Sequence, residues 1–398
     1  MLPYGRQLIE DDDIAAVTAV LRSDYLTTGP VVELFELALA ARVGAARAVS
    51  CSSGTAALHM TAMALDLGPD DWAVVPAMTF MGTANVVRMT GAEVLFADVD
   101  ADTGLMRPDD LEQVIERAGA RRVRAVYPVH LNGQTADMPA LAKIAAKRGQ
   151  AIVEDAAHAI GTVTKEDGKS VSVGSGRHSA MTIFSFHPVK TITAGEGGAV
   201  TTNDAVLAEK LSRLRNHCIT RHPDDFIDRE AAFDSKGEPN PWYHEMHRPG
   251  LNYRASDIHC ALGLSQLKKI DRFIAKRHAL TRRYDAKLAA LAPIVRPVRR
   301  VPGCDATLHL YAVLIDFKTL GIERAEVMRR LKSAGIGTQV HYIPVHRQPY
   351  YRSRYPDVSL PGADAYYARE LSLPLYAGMK DADVDCVVEA LTSIVEDA

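Results

Sequence analysis

Short apolar runs alternate with helical patterns over much of the first 185 residues, and this alternation limits the folds open to the chain. The runs lie at 47–50, 73–76, 94–97, 123–127, 151–153 and 179–184, and helical patterns lie near 80–90, 108–118 and 139–148. Runs this short and this apolar are typical of strands that are covered on both faces. The pattern therefore predicts an α/β fold whose mostly parallel central sheet is flanked by helices.

A second α/β pattern follows at the C-terminal end of the chain. A strongly helical region covers about 256–291, and beyond it we expect strands at 309–315 and 337–342 and helices at 324–334 and 382–395. We therefore predict a large domain over residues 1–255 and a smaller C-terminal α/β domain over 256–398 that includes the linking helix.

Polar side chains cluster where the predicted strands end. In open parallel sheets ligands bind beyond the carboxyl ends of the strands. The candidates at these ends are Ser52, Ser53, Thr79, Phe80, Asp98, His130, Asn132, Asp155, His158, Ser185 and Lys190.

A strand, a turn of small residues and a helix start meet at 47–60, and the helix start could present backbone amides to a phosphate. Ser and Thr caps open many helices, so this segment alone is weak support for a phosphate site.

Lys190 follows the apolar run 179–184 by only a few residues. Pro188 ends the strand ladder and places the lysine on a loop that leads to glycines at 195, 197 and 198. A lysine at such a strand end can have a depressed pKa and attack a carbonyl as the neutral amine. Taken alone, Lys190 reads as an ordinary surface lysine, so the interpretation depends on its neighbours.

Asp155 and His158 form the second informative group. An acidic residue after a buried strand is often a helix cap, and an Asp with a His can also bind a metal, although no third ligand lies nearby in the sequence. The third interpretation is that Asp155 stays ionised and holds a proton on the nitrogen of a heterocycle.

Composition excludes several classes of protein. The formal charge of -3 gives no overall attraction to nucleic acid or to an anionic membrane. Five scattered cysteines without a CxxC spacing argue against a zinc site or a disulfide framework and fit a reducing compartment. No signal peptide, membrane-spanning run, GxGxxG, Walker, HExxH or GxSxG motif is present, so we expect a cytoplasmic protein without those chemistries.

The order of these motifs resembles the DegT-type sugar-nucleotide aminotransferases, a family of fold-type I pyridoxal-phosphate enzymes, over nearly the whole chain. The resemblance implies pyridoxal 5′-phosphate as the cofactor. Lys190 would hold it as a Schiff base, and Asp155 would pair with the nitrogen of its ring. His158 would lie near the phenolic oxygen of the cofactor, and Phe80 would stack on its ring.

The same resemblance implies how the phosphate is held. Gly54, Thr55 and Ser185 would bind it within one chain, and Asn252 would reach it from the partner subunit. Without the resemblance Asn252 reads as a turn residue. The implied assembly is a homodimer with composite active sites.

Within this family the chain is most similar to the transaminases of pseudaminic acid biosynthesis. The similarity lies in the segments 3–7, 155–158, 184–190, 219–221 and 241–243. It implies that L-glutamate donates an amino group to UDP-2-acetamido-2,6-dideoxy-β-L-arabino-hexos-4-ulose, which gives UDP-4-amino-4,6-dideoxy-N-acetyl-β-L-altrosamine. Cys218 stands where relatives usually have Gly, so the loop beside it can differ from theirs.

Cations, hydroxyls and imidazoles are needed to bind a sugar nucleotide. The substrate-binding candidates are Arg6, Thr28, His217, Arg221, His309 and His341, with Arg347 as a further possibility. Each of these side chains reads equally as a solvated or capping residue. The long polar segment 222–249 is a candidate for closing over the substrate.

Three other functions fit parts of the pattern. A transaminase of the GDP-perosamine, bacillosamine or legionaminic type would keep the fold and cofactor and change the sugar. Related sugar dehydratases have His in place of the lysine, so Lys190 argues against that reaction. A regulatory or binding protein on the same scaffold would not need Lys190, Asp155, His158 and Ser185 together.

Overall fold

The computed structural model describes residues 1–398 and contains helices and strands along its whole length. The helices are α1 (Asp11–Leu21), α2 (Pro30–Val43), α3 (Gly54–Ala64), α4 (Gly82–Met89), α5 (Pro108–Ala118), α6 (Met138–Ala146), α7 (Ala205–Leu214), α8 (Arg229–Ala232), α9 (Asp257–Leu267), α10 (Ile270–Leu288), α11 (Phe317–Leu320), α12 (Arg324–Ser333), α13 (Pro349–Arg354), α14 (Pro361–Arg369) and α15 (Asp381–Glu396). The strands are β1 (Arg47–Cys51), β2 (Asp71–Pro76), β3 (Glu93–Ala97), β4 (Arg122–Val126), β5 (Ala151–Asp155), β6 (Val163–Glu166), β7 (Lys169–Ser172), β8 (Met181–Ser185), β9 (Gly198–Thr202), β10 (Ile219–Thr220), β11 (Glu245–Met246), β12 (Val295–Pro297), β13 (Cys304–Asp305), β14 (Tyr311–Ile315) and β15 (Glu370–Leu373).

A seven-stranded sheet forms the centre of the large part of the molecule. Its strand order is β1-β9-β8-β5-β4-β2-β3. Only β9 runs against the others, because it pairs antiparallel with both β1 and β8 while the remaining neighbours pair parallel. The predicted mostly parallel sheet is therefore confirmed. The apolar strands lie between helices, and the carboxyl ends of six strands meet at one edge.

A small antiparallel sheet forms the centre of the C-terminal part. Its order is β12-β14-β15, and a separate apolar core that includes residues of α10, α12 and α15 packs around it. The predicted helical region 256–291 forms the two helices α9 and α10. The division into domains at residue 255 remains a prediction.

The strand that we expected at 337–342 is wrong. Its place in the sheet is taken by β15, which pairs with β14. Of residues 337–342, Gln339 forms a single bridge to Ser372, and the backbone N–H of His341 donates to the Glu370 carboxylate instead of a strand carbonyl. Because those polar contacts replace a ladder, the segment is free to line a cavity.

The first residues of the chain pack against this C-terminal part. Leu2 exchanges backbone hydrogen bonds with Gly335 and Gly337, and the Leu375 N–H donates to the Tyr4 carbonyl. Backbone hydrogen bonds thus hold the chain start against the C-terminal part.

The polar segment 222–249 is folded onto itself. The Glu245 carboxylate accepts hydrogen bonds from the backbone N–H groups of Ile227 and Asp228, and the rings of Phe226 and Tyr243 pack edge to face.

In the molecule as a whole, no helix has both the length and the apolar character that crossing a bilayer requires.

Gly198 in β9 provides a test of how the sheet positions the turn after β1. A Cβ atom there would lie 2.3 Å from the Ser53 carbonyl oxygen, whereas one at Gly68 would contact nothing within 4 Å. We expect Gly198→Ala to lower the free energy of unfolding by about 1–3 kcal/mol, because backbone must move to relieve the overlap. Urea unfolding measures this, with Gly68→Ala as the matched control. Equal stability of the two variants would contradict the close contact between residue 198 and the Ser53 carbonyl.

Candidate active site

A cavity of about 500 Å³ opens at the carboxyl edge of the central sheet. Its walls combine the turns at the ends of five sheet strands with segments of the C-terminal part. The predicted site residues that line it are Ser53, Gly54, Thr55, Thr79, Phe80, Asp155, His158, Ser185, Lys190, His309 and His341. Residues that are far apart in the chain are thus brought together by the meeting of strand ends.

Lys190 lies on the loop that follows β8 and lines this cavity. The strand residues before it are buried, and the backbone N–H of Lys190 donates to the His187 carbonyl, which forms the turn. Burial lowers the pKa of the Lys190 amine to about 8, and the negative charge of Asp155 opposes that shift. A substantial fraction of the amine is therefore neutral and nucleophilic near neutral pH.

Asp155 is the last residue of β5, and its carboxylate is buried. One oxygen accepts the Thr83 hydroxyl at 2.7 Å, and the other accepts the Ala157 backbone N–H at 3.1 Å. Burial raises the pKa of the Asp155 carboxyl, while these two hydrogen bonds and the positive charge of Lys190 lower it. A carboxylate so held can keep a proton on a cationic ring nitrogen.

His158 lies next to two other buried imidazoles in the cavity. Its ring centre is 4.4 Å from that of His309 and 6.5 Å from that of His341. Its Nε2 is 3.1 Å from the Tyr342 hydroxyl, whereas its Nδ1 has no hydrogen-bond partner. Burial and the charge of Lys190 hold the pKa of His158 well below its ordinary value. These rings are therefore neutral hydrogen-bonding groups rather than cations.

The start of α3 lines one part of the cavity. Ser53 caps this helix by accepting the Ala56 N–H at 3.1 Å, and the first turn of a helix offers further amides to an anion. A Cβ atom at Gly54 would lie 2.8 Å from the Ser185 Cβ, so only glycine leaves the backbone accessible beside Ser185. The positive end of the helix dipole and the hydroxyl groups of Thr55 and Ser185 favour the binding of a phosphate at the start of α3.

The remaining predicted site residues do not line the cavity of this chain. Arg6 borders a small adjoining space next to Lys190. Asn252, Thr28, His217 and Arg221 are exposed and lie outside the cavity. The Arg347 guanidinium pairs with Asp364 at 2.7 Å.

Two cavity residues escaped the sequence analysis. Thr83 follows Thr79 by one helical turn, and their hydroxyls are 2.8 Å apart, so a spacing of four could have indicated it. Tyr342 lay in the segment that we interpreted as a strand, which hid its role beside His158.

Comparisons with known proteins agree on one family. The model of the DegT/DnrJ/EryC1/StrS aminotransferase family matches residues 7–392. The spore coat polysaccharide biosynthesis protein SpsC of Bacillus subtilis (strain 168) is 39% identical over 400 residues, which cover 100% of this chain and 98% of SpsC.

Solved structures match over the whole chain as well. Helicobacter pylori PseC, an aminotransferase involved in the biosynthesis of pseudoaminic acid, has a TM-score of 0.88 at 27% identity and 100% coverage of both chains. The PLP form of the putative sugar aminotransferase Spr1654 from Streptococcus pneumoniae has a TM-score of 0.87 at 27% identity, covering 100% of this chain and 99% of that one.

The cavity fits pyridoxal 5′-phosphate. The helix start beside Gly54 matches the phosphate, the buried Asp155 carboxylate matches the ring nitrogen, and the amine of Lys190 matches the aldehyde. The unpartnered Nδ1 atoms of His158 and His309 leave polar groups for a ligand to satisfy. The protein is therefore suited to the cofactor that this family uses.

The pKa of Lys190 predicts how its reactivity depends on pH. In the cofactor-free protein, acylation of Lys190 should rise with pH to a midpoint of about 8, because only the neutral amine reacts. Asp155→Asn removes a charge that raises this pKa, so the midpoint should move to lower pH. Mass spectrometry of acylated peptides measures both, with the exposed Lys318 as the reference in each sample. A midpoint that rises in Asp155→Asn would contradict the proposed electrostatics.

Proposed function

The chain belongs to the DegT/DnrJ/EryC1/StrS aminotransferase family and is a pyridoxal-phosphate-dependent sugar aminotransferase, and we propose that it aminates C4 of a nucleotide-linked 4-keto-6-deoxy sugar. L-Glutamate would be the amino donor. The observation that carries this proposal is the joint presence of the Lys190 amine, the Asp155 carboxylate and a helix start in one cavity.

The proposed substrate is UDP-2-acetamido-2,6-dideoxy-β-L-arabino-hexos-4-ulose, and the product is UDP-4-amino-4,6-dideoxy-N-acetyl-β-L-altrosamine. The match to Helicobacter pylori PseC over all of both chains supports this sugar. The cavity also offers the neutral imidazoles of His309 and His341, which can bind sugar oxygens without adding charge.

Besides Lys190 and His158, five residues of one chain would hold the cofactor. Gly54, Thr55 and Ser185 would bind its phosphate, Asp155 would accept from the ring nitrogen, and Phe80 would cover the ring at the mouth of the cavity. Bound pyridoxal phosphate supplies an electron sink for the carbon that loses or gains a proton.

Lys190 would act both as the covalent anchor and as the proton carrier. With its pKa held to about 8, its Nζ can receive the α-proton of glutamate and later deliver a proton to C4 of the sugar. The hydrogen bond from the Thr83 hydroxyl opposes the effect of burial and favours the ionised form of Asp155, which the chemistry needs. His158 would lie near the phenolic oxygen of the cofactor as a neutral hydrogen-bonding group.

We further propose a homodimer with composite sites. Asn252 is exposed outside the cavity of its own chain, so its proposed contact with the phosphate requires the partner subunit. Arg6, Thr28, His217 and Arg221 are proposed to bind the nucleotide part of the substrate across the same interface. Apolar side chains that such an interface would cover are exposed on α1, on α2 and between them: Ile14, Leu21, Tyr25, Leu26, Leu34 and Leu37.

A cytoplasmic location and closure of residues 222–249 over the substrate also remain predictions. Protease sensitivity of that segment in the presence of substrate would report its closure.

The absorbance spectrum tests the first half-reaction. We expect L-glutamate to convert the visible band of the bound cofactor to the pyridoxamine form in the wild type, and Lys190→Ala to lack that change because it has no anchoring amine. Lys318→Ala is the matched control, since Lys318 is an exposed lysine outside the cavity. A protein that takes up no pyridoxal phosphate would contradict the proposal and favour a binding protein on this scaffold.

The product identifies the sugar. With glutamate as the amino donor, the wild type should aminate the proposed UDP-linked 4-keto sugar faster than GDP-linked or dTDP-linked 4-keto sugars. Mass spectrometry and nuclear magnetic resonance of the products would identify and quantify each amino sugar. A preference for one of the other sugars would keep the transaminase and replace the substrate.

Mixing two inactive variants tests the composite site. Lys190→Ala and Asn252→Ala each damage a different half of the proposed site, so a mixed dimer contains one intact site. After unfolding and refolding together in equal amounts, they should recover about a quarter of wild-type activity if Asn252→Ala alone is inactive. If the mixture is no more active than the sum of the separate variants, Asn252 does not act across the interface.

A further inference from the structure

A buried chain of hydrogen bonds runs away from the cavity behind His341. The His341 Nδ1 is 2.8 Å from the Ser372 hydroxyl oxygen, and that hydroxyl is 2.6 Å from the Glu370 carboxyl. The second carboxyl oxygen accepts the His341 backbone N–H at 2.8 Å. Glu370 and Ser372 are 0% exposed, whereas the imidazole lines the cavity. The chain thus connects the cavity to a carboxyl group that water cannot reach.

The single hydrogen of the Ser372 hydroxyl couples the two ends of this chain. When Glu370 is ionised, the hydroxyl donates to it and can only accept from His341, so Nδ1 carries the imidazole proton and Nε2 presents a lone pair. When Glu370 is protonated, its O–H donates to Ser372, the hydroxyl donates to Nδ1, and Nε2 carries the proton. The protonation state of Glu370 therefore determines whether the cavity meets an acceptor or a donor.

We propose that Glu370, Ser372 and His341 form a proton relay that takes a proton from an ammonium group in the cavity and later returns it. This inference rests on the proposed function only in naming the amino group as the proton source. Glutamate arrives as an ammonium and must lose a proton before its nitrogen can attack a carbonyl carbon.

The transfer balances without a further reactant. The N–H bond of the ammonium breaks, its electron pair stays on nitrogen, and the proton binds His341 Nε2. The Nδ1 proton passes to the Ser372 oxygen, and the Ser372 hydroxyl proton passes to Glu370. Ammonium and carboxylate have become amine and carboxylic acid, and the reverse transfer protonates the product amine.

The surroundings favour the proton on Glu370 over the proton on His341. Burial raises the pKa of the Glu370 carboxyl to about 8, whereas burial and the charge of Lys190 lower the pKa of His341 to about 3. A proton that enters at His341 is therefore more stable on Glu370, where it neutralises a buried charge. The other titratable or charged groups that face the relay are Lys190, Tyr4, Tyr342, His158 and His309 around the imidazole, and Arg324, Tyr366 and Tyr342 around Glu370.

The nitrogen resonances of His341 test the relay without catalysis. In the ¹⁵N-histidine-labelled holoenzyme, assigned by comparison with His341→Gln, the proton should move from Nε2 to Nδ1 as the pH rises through about 8. Glu370→Gln cannot ionise and should keep one tautomer at every pH, and Ser372→Ala should lose the dependence because the connecting hydroxyl is absent. Glu154→Gln is the matched control, since this buried carboxyl also binds a serine and a histidine but does not contact His341.

Kinetics separate proton transfer from a structural role. Ser372→Ala should slow the glutamate half-reaction by about 10²-fold and leave the glutamate concentration at half-saturation nearly unchanged. A tautomer that is fixed in the wild type, or a switch that persists in Ser372→Ala, would overturn the relay. If the tautomer of His341 changes with pH but glutamate does not convert the cofactor, the relay is supported and the proposed function is contradicted. If glutamate converts the cofactor but the tautomer does not change with pH, the proposed function is supported and the relay is contradicted.

Discussion

The structure depends on compensating one buried carboxylate, that of Asp155. Taking a carboxylate out of water is unfavourable unless hydrogen bonds or opposite charge compensate. Here Thr83 and the Ala157 backbone supply the hydrogen bonds, and Lys190 supplies the charge. These three groups come from α4, from the turn after β5 and from the loop after β8. The sheet must therefore fix the ends of several strands before this one charge is stable.

The same low-polarity surroundings explain why the cavity contains neutral imidazoles. Burial disfavours the cationic form of His158, His309 and His341, and the amine of Lys190 adds to that effect. A site built this way can bind oxygen and nitrogen atoms of a substrate by hydrogen bonds while it keeps positive charge for the one lysine that performs the chemistry. Charge for a diphosphate must then come from exposed side chains, which is consistent with the positions of Arg6 and Arg221 outside the cavity.

The sequence predicted the large sheet well because its strands are short apolar runs that differ clearly from the helices between them. It also placed Asp155 and Lys190 at the same edge of the sheet, since both lie at the carboxyl ends of predicted parallel strands. It failed at 337–342, where β-branched and aromatic residues alternate with polar ones as they do in a strand, although a single bridge to β15 and the Glu370 carboxylate replace the ladder. Contacts of this kind depend on residues that are distant in sequence, such as Glu370, and no local pattern reveals them. Asn252 and Arg221 show a second limit, because a residue whose proposed target lies in another subunit has no signature within its own chain.

The pairing of the chain start with the C-terminal part also has a consequence for synthesis. Leu2 and Tyr4 leave the ribosome long before their backbone partners, which are at residues 335, 337 and 375. The large sheet can form while the rest of the chain is still being made, since domains tend to fold in order of synthesis. Tyr4 and Tyr342, however, take their places in the cavity wall only after the last third of the chain has emerged. A nascent chain can therefore display a folded sheet and a reactive lysine well before it has a closed site in which to use them.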